Sequence, residues 1–318
     1  MRKILPVVLL GIMGVPSILA SQIILVHAHR GGRAYRPENT LASFNYGIEV
    51  GADVLELDLA VTRDNVLVVS HSPFLMQPEA DDPDVKAALA GERHCDGPPL
   101  APGTPIHALM LAELKQYDCG VQTLTAFPHQ VAIPGTTVPT FDEVLELAPK
   151  GKSEFGGIQF NVETKIFPNH PELTPSPEEF VRMIHEAVVR HELEERVILQ
   201  SFDFRTLHAM RALNPKIRLS ALFGASRYDA MMGINEPDKS FAGIAKRSGA
   251  QILSPDQSLV TPEEVATAHA MGLDVVPYTA NDEASWRRMA DAKVDAIITD
   301  DPAGLLAWLR AQTPRLHP

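Results

Sequence analysis

Two histidines, His29 and His71, and three carboxylates, Glu56, Asp58 and Glu163, fall at or near the ends of short apolar runs. Histidine titrates near neutrality, so a pair of them can serve as general acid and general base. Three carboxylates offer hard oxygen ligands, which suit Ca²⁺ or Mg²⁺ better than zinc, since no cysteine lies close to them in sequence. Arg30 follows His29 directly and Lys165 follows Glu163 at a spacing of two, which adds two cations to the set. Fixed cations beside an acid/base pair point to an anionic substrate, most simply a phosphate. Glu56, Asp58 and Glu163 could equally pair with Arg30 and Lys165 as a network of salt bridges.

Each group needs an element that delivers it. Ile23-Ile24-Leu25-Val26 is an apolar run leading to His29-Arg30, after which Gly31-Gly32 open a turn and Asn39 or Thr40 can cap the next helix. In Asp53-Val-Leu-Glu56-Leu-Asp58, the two acidic residues are two apart, so on a strand they share a face. Val66-Leu-Val-Val-Ser-His71 is a third run, and Gly157-Ile-Gln-Phe-Asn161-Val-Glu163-Thr-Lys165 a fourth. Chemical groups at successive strand ends are the pattern of a parallel α/β barrel, whose site lies at the C-terminal face.

From Pro139 onward strands and helices alternate, as a parallel sheet wrapped by helices requires. The expected helices are Thr140–Leu147, Ser176–His191, Arg205–Asn214, Lys239–Ser248, Thr261–Met271 and Glu283–Ala292. The expected strands between them are Gly157–Lys165, Val197–Phe202, Arg218–Phe223, Gln251–Ser254, Asp274–Tyr278 and Ala296–Thr299. With the three before them, these make nine strand-like runs, one more than a (β/α)8 barrel needs. One of the nine is expected to lie outside the eight, with Gln251–Ser254 the first candidate and the sequence alone leaving open which.

The motifs His29-Arg30-Gly31, Pro37-Glu38-Asn39-Thr40, Glu56-Leu57-Asp58, His71, Glu163-Thr164-Lys165, Gln200-Ser201-Phe202, Pro277-Tyr278-Thr279 and Thr299-Asp300-Asp301-Pro302 run in order over most of the chain. In this the sequence resembles the glycerophosphodiester phosphodiesterases, relatives of the phosphatidylinositol-specific phospholipase C barrels. The resemblance implies an α/β TIM barrel with a small subdomain inserted after the third strand. It implies one divalent cation, Ca²⁺ or Mg²⁺, on Glu56, Asp58 and Glu163, with Ca²⁺ favoured because an exported site meets it freely. His29 and His71 would flank the scissile phosphodiester. The substrate's own glycerol hydroxyl would attack first, and water would then open a cyclic phosphate as the histidines exchange roles. Arg30 and Lys165 would bind the phosphate, and Tyr278, where many relatives carry tryptophan, would wall the glycerol. His27 reads as a residue of the barrel interior, Glu38 as a group orienting Arg30 or Arg36, Asn281 as a contact of Tyr278, and Asp300 and Asp301 as residues fixing the last strand's loop. His94, His107, His129, His170 and His208 read as surface residues.

The 318 residues suffice for one such barrel. A formal net charge of −12 and the absence of a basic run argue against a nucleic-acid partner. Arg2 and Lys3 followed by the apolar stretch Ile4–Leu19 and Ala20 read as a signal peptide over 1–20, preceding a barrel over 21–318. Proline and glycine within that stretch disfavour a stable membrane span, so the mature chain is expected to be exported, periplasmic or secreted, as a monomer or homodimer. Residues 72–139 are rich in Pro, Gly and Asp, with helical pattern only at Asp84–Gly91 and Leu111–Tyr117. They read either as a substrate-selecting cap or as an excursion that never meets substrate. Cys95 and Cys119 both lie there, as a disulfide or as two thiols.

The functional expectation is metal-dependent hydrolysis of glycerophosphodiesters such as glycerophosphocholine and glycerophosphoethanolamine to sn-glycerol 3-phosphate and an alcohol. One alternative is a phospholipase or lysophospholipase, of D or C type, acting on lipid, though the polar 72–139 segment offers little apolar rim. Another is a non-catalytic exported protein that binds phosphodiesters, which the full set of histidines and carboxylates disfavours.

Overall fold

A computed structural model describes residues 23–79, 94–148, 157–224 and 238–312, together with positions 81, 86, 92 and 233. The expected signal segment and the expected helix at 84–91 lie outside the described residues, apart from Lys86. Nine strands form one sheet: β1 Leu25–Ala28, β2 Val54–Val61, β3 Leu67–Val69, β4 Gln159–Thr164, β5 Val197–Ser201, β6 Arg218–Phe223, β7 Ile252–Pro255, β8 Asp274–Val275 and β9 Ala296–Thr299. Eight of them run parallel in the order β8-β7-β6-β5-β4-β2-β1-β9. The ends of this path meet through backbone hydrogen bonds from Asp295 N–H to the Val275 carbonyl (3.0 Å) and from Ile298 N–H to that of Pro277 (3.0 Å). The result is a (β/α)8 barrel, as the sequence pattern predicts.

The supernumerary strand is not the first candidate. β7 belongs to the barrel wall, paired with β6 and β8. β3 is the outlier: it runs antiparallel to β2, with Leu59 opposite Val69 and Val61 opposite Leu67. The link Thr62–Val66 is too short for a parallel crossover, which needs a dozen or more residues. β4 occupies one edge of β2 as far as Leu59. β3 therefore takes the other edge, above the point where β1 ends at Ala28 and the chain turns away. Its descent brings Ser70 N–H to the Asp58 carbonyl at 3.0 Å and leaves His71 at the barrel mouth.

Nine helices are seen among the described residues: α1 Leu41–Val50, α2 Leu111–Leu114, α3 Phe141–Leu145, α4 Pro177–Arg190, α5 Phe204–Leu213, α6 Phe241–Ser248, α7 Pro262–Ala270, α8 Glu283–Asp291 and α9 Pro302–Gln312. α4 shows why they form where they do. Ser176 and Glu179 make a reciprocal capping box, Pro177 takes the first turn, and Phe180, Val181, Ile184, Ala187 and Val188 give one buried stripe. Leu55, Leu57 and Leu59 point out from β2 into the core between sheet and helices. A smaller apolar cluster, Ile198, Ile252, Val276, Ala296 and Ile298, fills the barrel interior.

Between His71 and Thr140 the chain builds a core of its own around Leu75, Ile106, Leu114, Tyr117 and Val138. Cys95 and Cys119 form a disulfide in it, 24 positions apart, beside the mutual backbone pairing of Asp96 and Asp118. Removing the bridge by Cys95→Ser with Cys119→Ser is expected to lower unfolding stability by about 3 kcal/mol in the chain-entropy account. Denaturant melts of the two forms would show it, and equal midpoints would contradict it.

Candidate active site

The turn after β1 fixes the first two groups. Arg30 has φ 50, Gly31 φ 85 and Gly32 φ 113, a left-handed sequence that folds the chain sharply back. A Cβ on Gly31 would lie 2.5 Å from Ser43 Oγ and 2.6 Å from Ser43 C, so no side chain fits there. Thr40, not Asn39, caps α1, with its side chain accepting from Ser43 N–H. Asn39 is thereby left to donate from Nδ2 to Asp58 Oδ2 at 2.8 Å.

The three carboxylates come together as their spacing predicts. Asp58 and Glu163 are register partners on β2 and β4, and Glu56 lies one turn of the pleat below. One oxygen from each falls within 4.8 Å of the others, and all three residues are buried. Glu56 is held from two sides: Arg30 N–H donates to its Oε2 at 2.9 Å and Gln200 Nε2 to its Oε1 at 2.7 Å. Beneath it Asn161 Nδ2 donates to Gln200 Oε1 at 2.9 Å and lies 3.4 Å from His27 Nδ1. His27 is buried, as expected, and burial together with the Arg218 charge lowers its pKa to about 3, so it is neutral at physiological pH.

The cations are packed among these acids. Arg30 Nη1 donates to Glu38 Oε1 at 2.8 Å, and its Nε lies 3.5 Å from Asp58 Oδ2. Glu38 therefore orients Arg30, and it also meets Arg33 at 3.3 Å, in place of the Arg36 considered from sequence. Lys165 Nζ pairs with Glu163 at 2.8 Å and approaches Asp58 Oδ1 at 3.9 Å. Although burial opposes it, the charges of His71, Arg30 and Lys165 hold Asp58 well below the usual carboxylate range. Burial and the neighbouring Asp58 push Glu56 well above it, and burial pushes Glu163 up to about 8 against the pull of Lys165.

This site fits a hard divalent cation on two counts. Asp58 Oδ1 is buried with no hydrogen-bond donor among the described residues. Glu56 and Glu163 resist ionisation chiefly because they are buried, and the charged Asp58 beside them adds to it, a conflict that a dication relieves. In chelator, Glu163 starts from an unfolded value of 4.5 and titrates near 8 when folded. The stabilisation it brings is complete below pH 4.5 and is lost as pH rises towards 8. Melting of the wild type in EDTA should therefore fall more steeply over that window than melting of Glu163→Gln; parallel curves would refute the assignment.

Both histidines sit on the wall of one cavity of about 330 Å³, with Arg30, Glu56, Glu163 and Lys165. Each presents Nδ1 to a carboxylate. His29 Nδ1 lies 2.5 Å from Asp300 Oδ1, and His71 Nδ1 lies 2.9 Å from Glu92 Oε2. Burial keeps His29 below its ordinary pKa although Asp300 opposes this. Asp300 itself is held at about 2, with burial overcome chiefly by the His29 charge and Arg33. Asn281 was expected to touch Tyr278; it instead donates from Nδ2 to Asp300 Oδ2 at 2.7 Å. Tyr278 lines the cavity with Phe202, their rings 5.9 Å apart and edge to face, and its hydroxyl donates to the Phe223 carbonyl at 3.3 Å. Glu92, Gln200 and Arg33 are site groups to which the residue pattern assigned no role, and Asp300, read from sequence as fixing the last strand's loop, also holds the ring of His29.

A parallel barrel whose mouth gathers two histidines, buried cations and a three-carboxylate cluster has the chemistry to handle a phosphate ester. The chain matches the model of the glycerophosphoryl diester phosphodiesterase family over residues 29–304, and it belongs to that family of phosphodiester hydrolases. It is 32% identical over 286 residues to a glycerophosphodiester phosphodiesterase of Caldanaerobacter subterraneus, covering 90% of this chain and 98% of that protein. A crystal structure of a Silicibacter pomeroyi protein assigned to the glycerophosphoryl diester phosphodiesterases superposes with a TM-score of 0.76 at 28% identity, covering 92% of this chain and 94% of that one. An Oleispira antarctica phosphodiesterase, solved with the product sn-glycerol-3-phosphate, shares the fold with a TM-score of 0.67 at 23% identity, covering 90% of this chain and 96% of that one.

Proposed function

We propose that this protein hydrolyses glycerophosphodiesters such as glycerophosphocholine and glycerophosphoethanolamine to sn-glycerol 3-phosphate and an alcohol, using a divalent cation and two histidines. The observation that carries this is the one cavity in which two carboxylate-held histidines face Glu56, Glu163 and Lys165, with Asp58 completing the carboxylate cluster. Glu56, Asp58 and Glu163 would hold the cation, Ca²⁺ or Mg²⁺, with Ca²⁺ preferred. When bound, it would supply Lewis-acid polarisation of a phosphate oxygen and a template for the glycerol hydroxyls.

The remaining work falls to side chains. Lys165 and Arg30 meet the charge that grows on the phosphate. Burial lowers the pKa of His29 against the pull of Asp300, which suits it to the base that takes the proton of the attacking glycerol hydroxyl. His71 then protonates the departing alcohol. The cyclic phosphate so formed is opened by water with the two roles exchanged. Tyr278 and Phe202 offer an apolar wall against which the glycerol carbons rest.

The disulfide and the amino-terminal pattern support an exported, periplasmic or secreted protein. No helix among the described residues is long and apolar enough to cross a membrane. We read residues 72–139 as a cap over the site, a small-molecule diester as the partner, and the protein as a monomer or homodimer.

Release of glycerol 3-phosphate from glycerophosphocholine tests the proposal, assayed in EDTA and then with Ca²⁺ or Mg²⁺ restored. Turnover abolished by EDTA and recovered by one metal is expected. No turnover with any metal, or turnover of lysophosphatidylcholine alone, would overturn it.

A further inference from the structure

We infer that Glu92, a residue of the 72–139 excursion, is a positioning residue for His71: it fixes the ring's tautomer and orientation, so the excursion supplies part of the acid/base apparatus itself. This rests on the two-histidine reading above and deepens it.

The geometry is direct. Glu92 Oε2 lies 2.9 Å from His71 Nδ1, and the two side chains are only 12% and 16% exposed. Both face the same cavity as the carboxylate cluster. An ionised carboxylate can only accept hydrogen bonds, so the Nδ1 facing it must carry the proton. Nε2 is then the atom left for substrate. Glu92 does stay ionised: against the burial that would raise it, the charge and hydrogen bond of His71, with Arg30 and Arg33, bring it down to about 2. The arrangement repeats around the mouth, where Asp300 holds Nδ1 of His29 in the same way.

A second set of contacts shows that the excursion is locked onto the catalytic loop. Gln130 Nε2 donates to the carbonyls of Arg33 (2.7 Å) and Arg36 (3.1 Å). Val131 N–H donates to the Tyr35 carbonyl at 3.1 Å, and the Arg33 guanidinium lies 4.6 Å from the centre of the Phe127 ring. The excursion thus touches the loop following His29 on one side and His71 on the other. Shortly after Glu92, Cys95 is bridged to Cys119, which anchors the segment that carries the carboxylate.

The test is a mutant cycle on the full chain. Glu92→Ala should lower kcat on glycerophosphocholine by roughly 10²-fold, within the ~10²–10⁴ that a general acid or base contributes. KM should change by less than about threefold, since positioning a proton donor leaves ground-state binding alone. Glu92→Asp should recover part of the rate. H71A combined with E92A should be no slower than H71A alone, because a group that acts only through His71 has nothing left to act on. Nitrogen-15 NMR of His71 should show the proton on Nδ1 in the wild type. Wild-type kcat in E92A, losses that multiply in the double variant, or a wild-type Nδ1 that carries no proton would each overturn the inference. If E92A fails to fold, the isosteric E92Q and the wild-type NMR spectrum still decide it. H71A at full activity would sink the two-histidine reading, whereas an inactive H71A beside a fully active E92A would sink only the role of Glu92.

Discussion

His71→Ala is expected to lower kcat on glycerophosphocholine by about 10²- to 10⁴-fold while cation binding survives. His71 contributes no oxygen to the Glu56–Asp58–Glu163 cluster, so its loss leaves the three ligands in place. Choline is a poor leaving group that departs as an alkoxide unless it is protonated, and His71 is the group assigned to that task. The same variant should lose much less with a p-nitrophenyl leaving group, which needs no acid. Rates for the two diesters, with cation affinity measured by calorimetry, check both halves. Equal losses on both substrates would remove His71 from the leaving-group side, and near wild-type activity on both would end the two-histidine mechanism.

Asp58→Asn should produce a double defect of comparable size. Asp58 is the strongest anion of the cluster, and its change to a neutral amide removes one of three proposed ligands. Cation affinity and turnover should both collapse. It is also the carboxylate between two buried cations, with Arg30 at 3.5 Å and Lys165 at 3.9 Å. Breaking a buried pair by neutralising one partner typically costs about 3–5 kcal/mol. The loss here should approach the lower figure, because Glu38 and Glu163 still face the same cations. Thermal melts in EDTA isolate this effect from metal binding. An unchanged midpoint would show that Arg30 and Lys165 are satisfied without Asp58.

The site was legible in the sequence wherever a single strand carried the information. Glu56 and Asp58 alternate on β2, Glu163 stands in register beside them on β4, and the period of two puts all three inward. The motif around Arg30 was legible because glycines at positive φ are a local necessity. What the pattern left open were partnerships created by barrel closure. His29 and Asp300 are 271 positions apart and meet only because β1 and β9 are neighbours. Glu92 sits in the irregular excursion, where no periodicity points to a facing residue. The antiparallel course of β3 is a different case: an apolar run carries no direction of its own, and only the short link Thr62–Val66 marks a hairpin. β7 is short, but its position between α6 and α7 is what the alternation demands of a barrel strand.

The return arm β3 has a consequence for how such a protein can change over time. The barrel wall closes without it, and the excursion both leaves and rejoins the molecule at this one place. Val68 bridges Thr140, and Val69 N–H donates to the Pro139 carbonyl at 2.9 Å, so the two ends of the segment lie side by side. A segment whose ends already touch can lengthen, shorten or be exchanged at little entropic penalty to the host, since loop-closure cost grows only slowly with length. Descendants can therefore retailor whatever the segment selects while inheriting an unaltered barrel. The constraint on such exchange is narrow: a replacement must still set an acidic side chain against the histidine at its root.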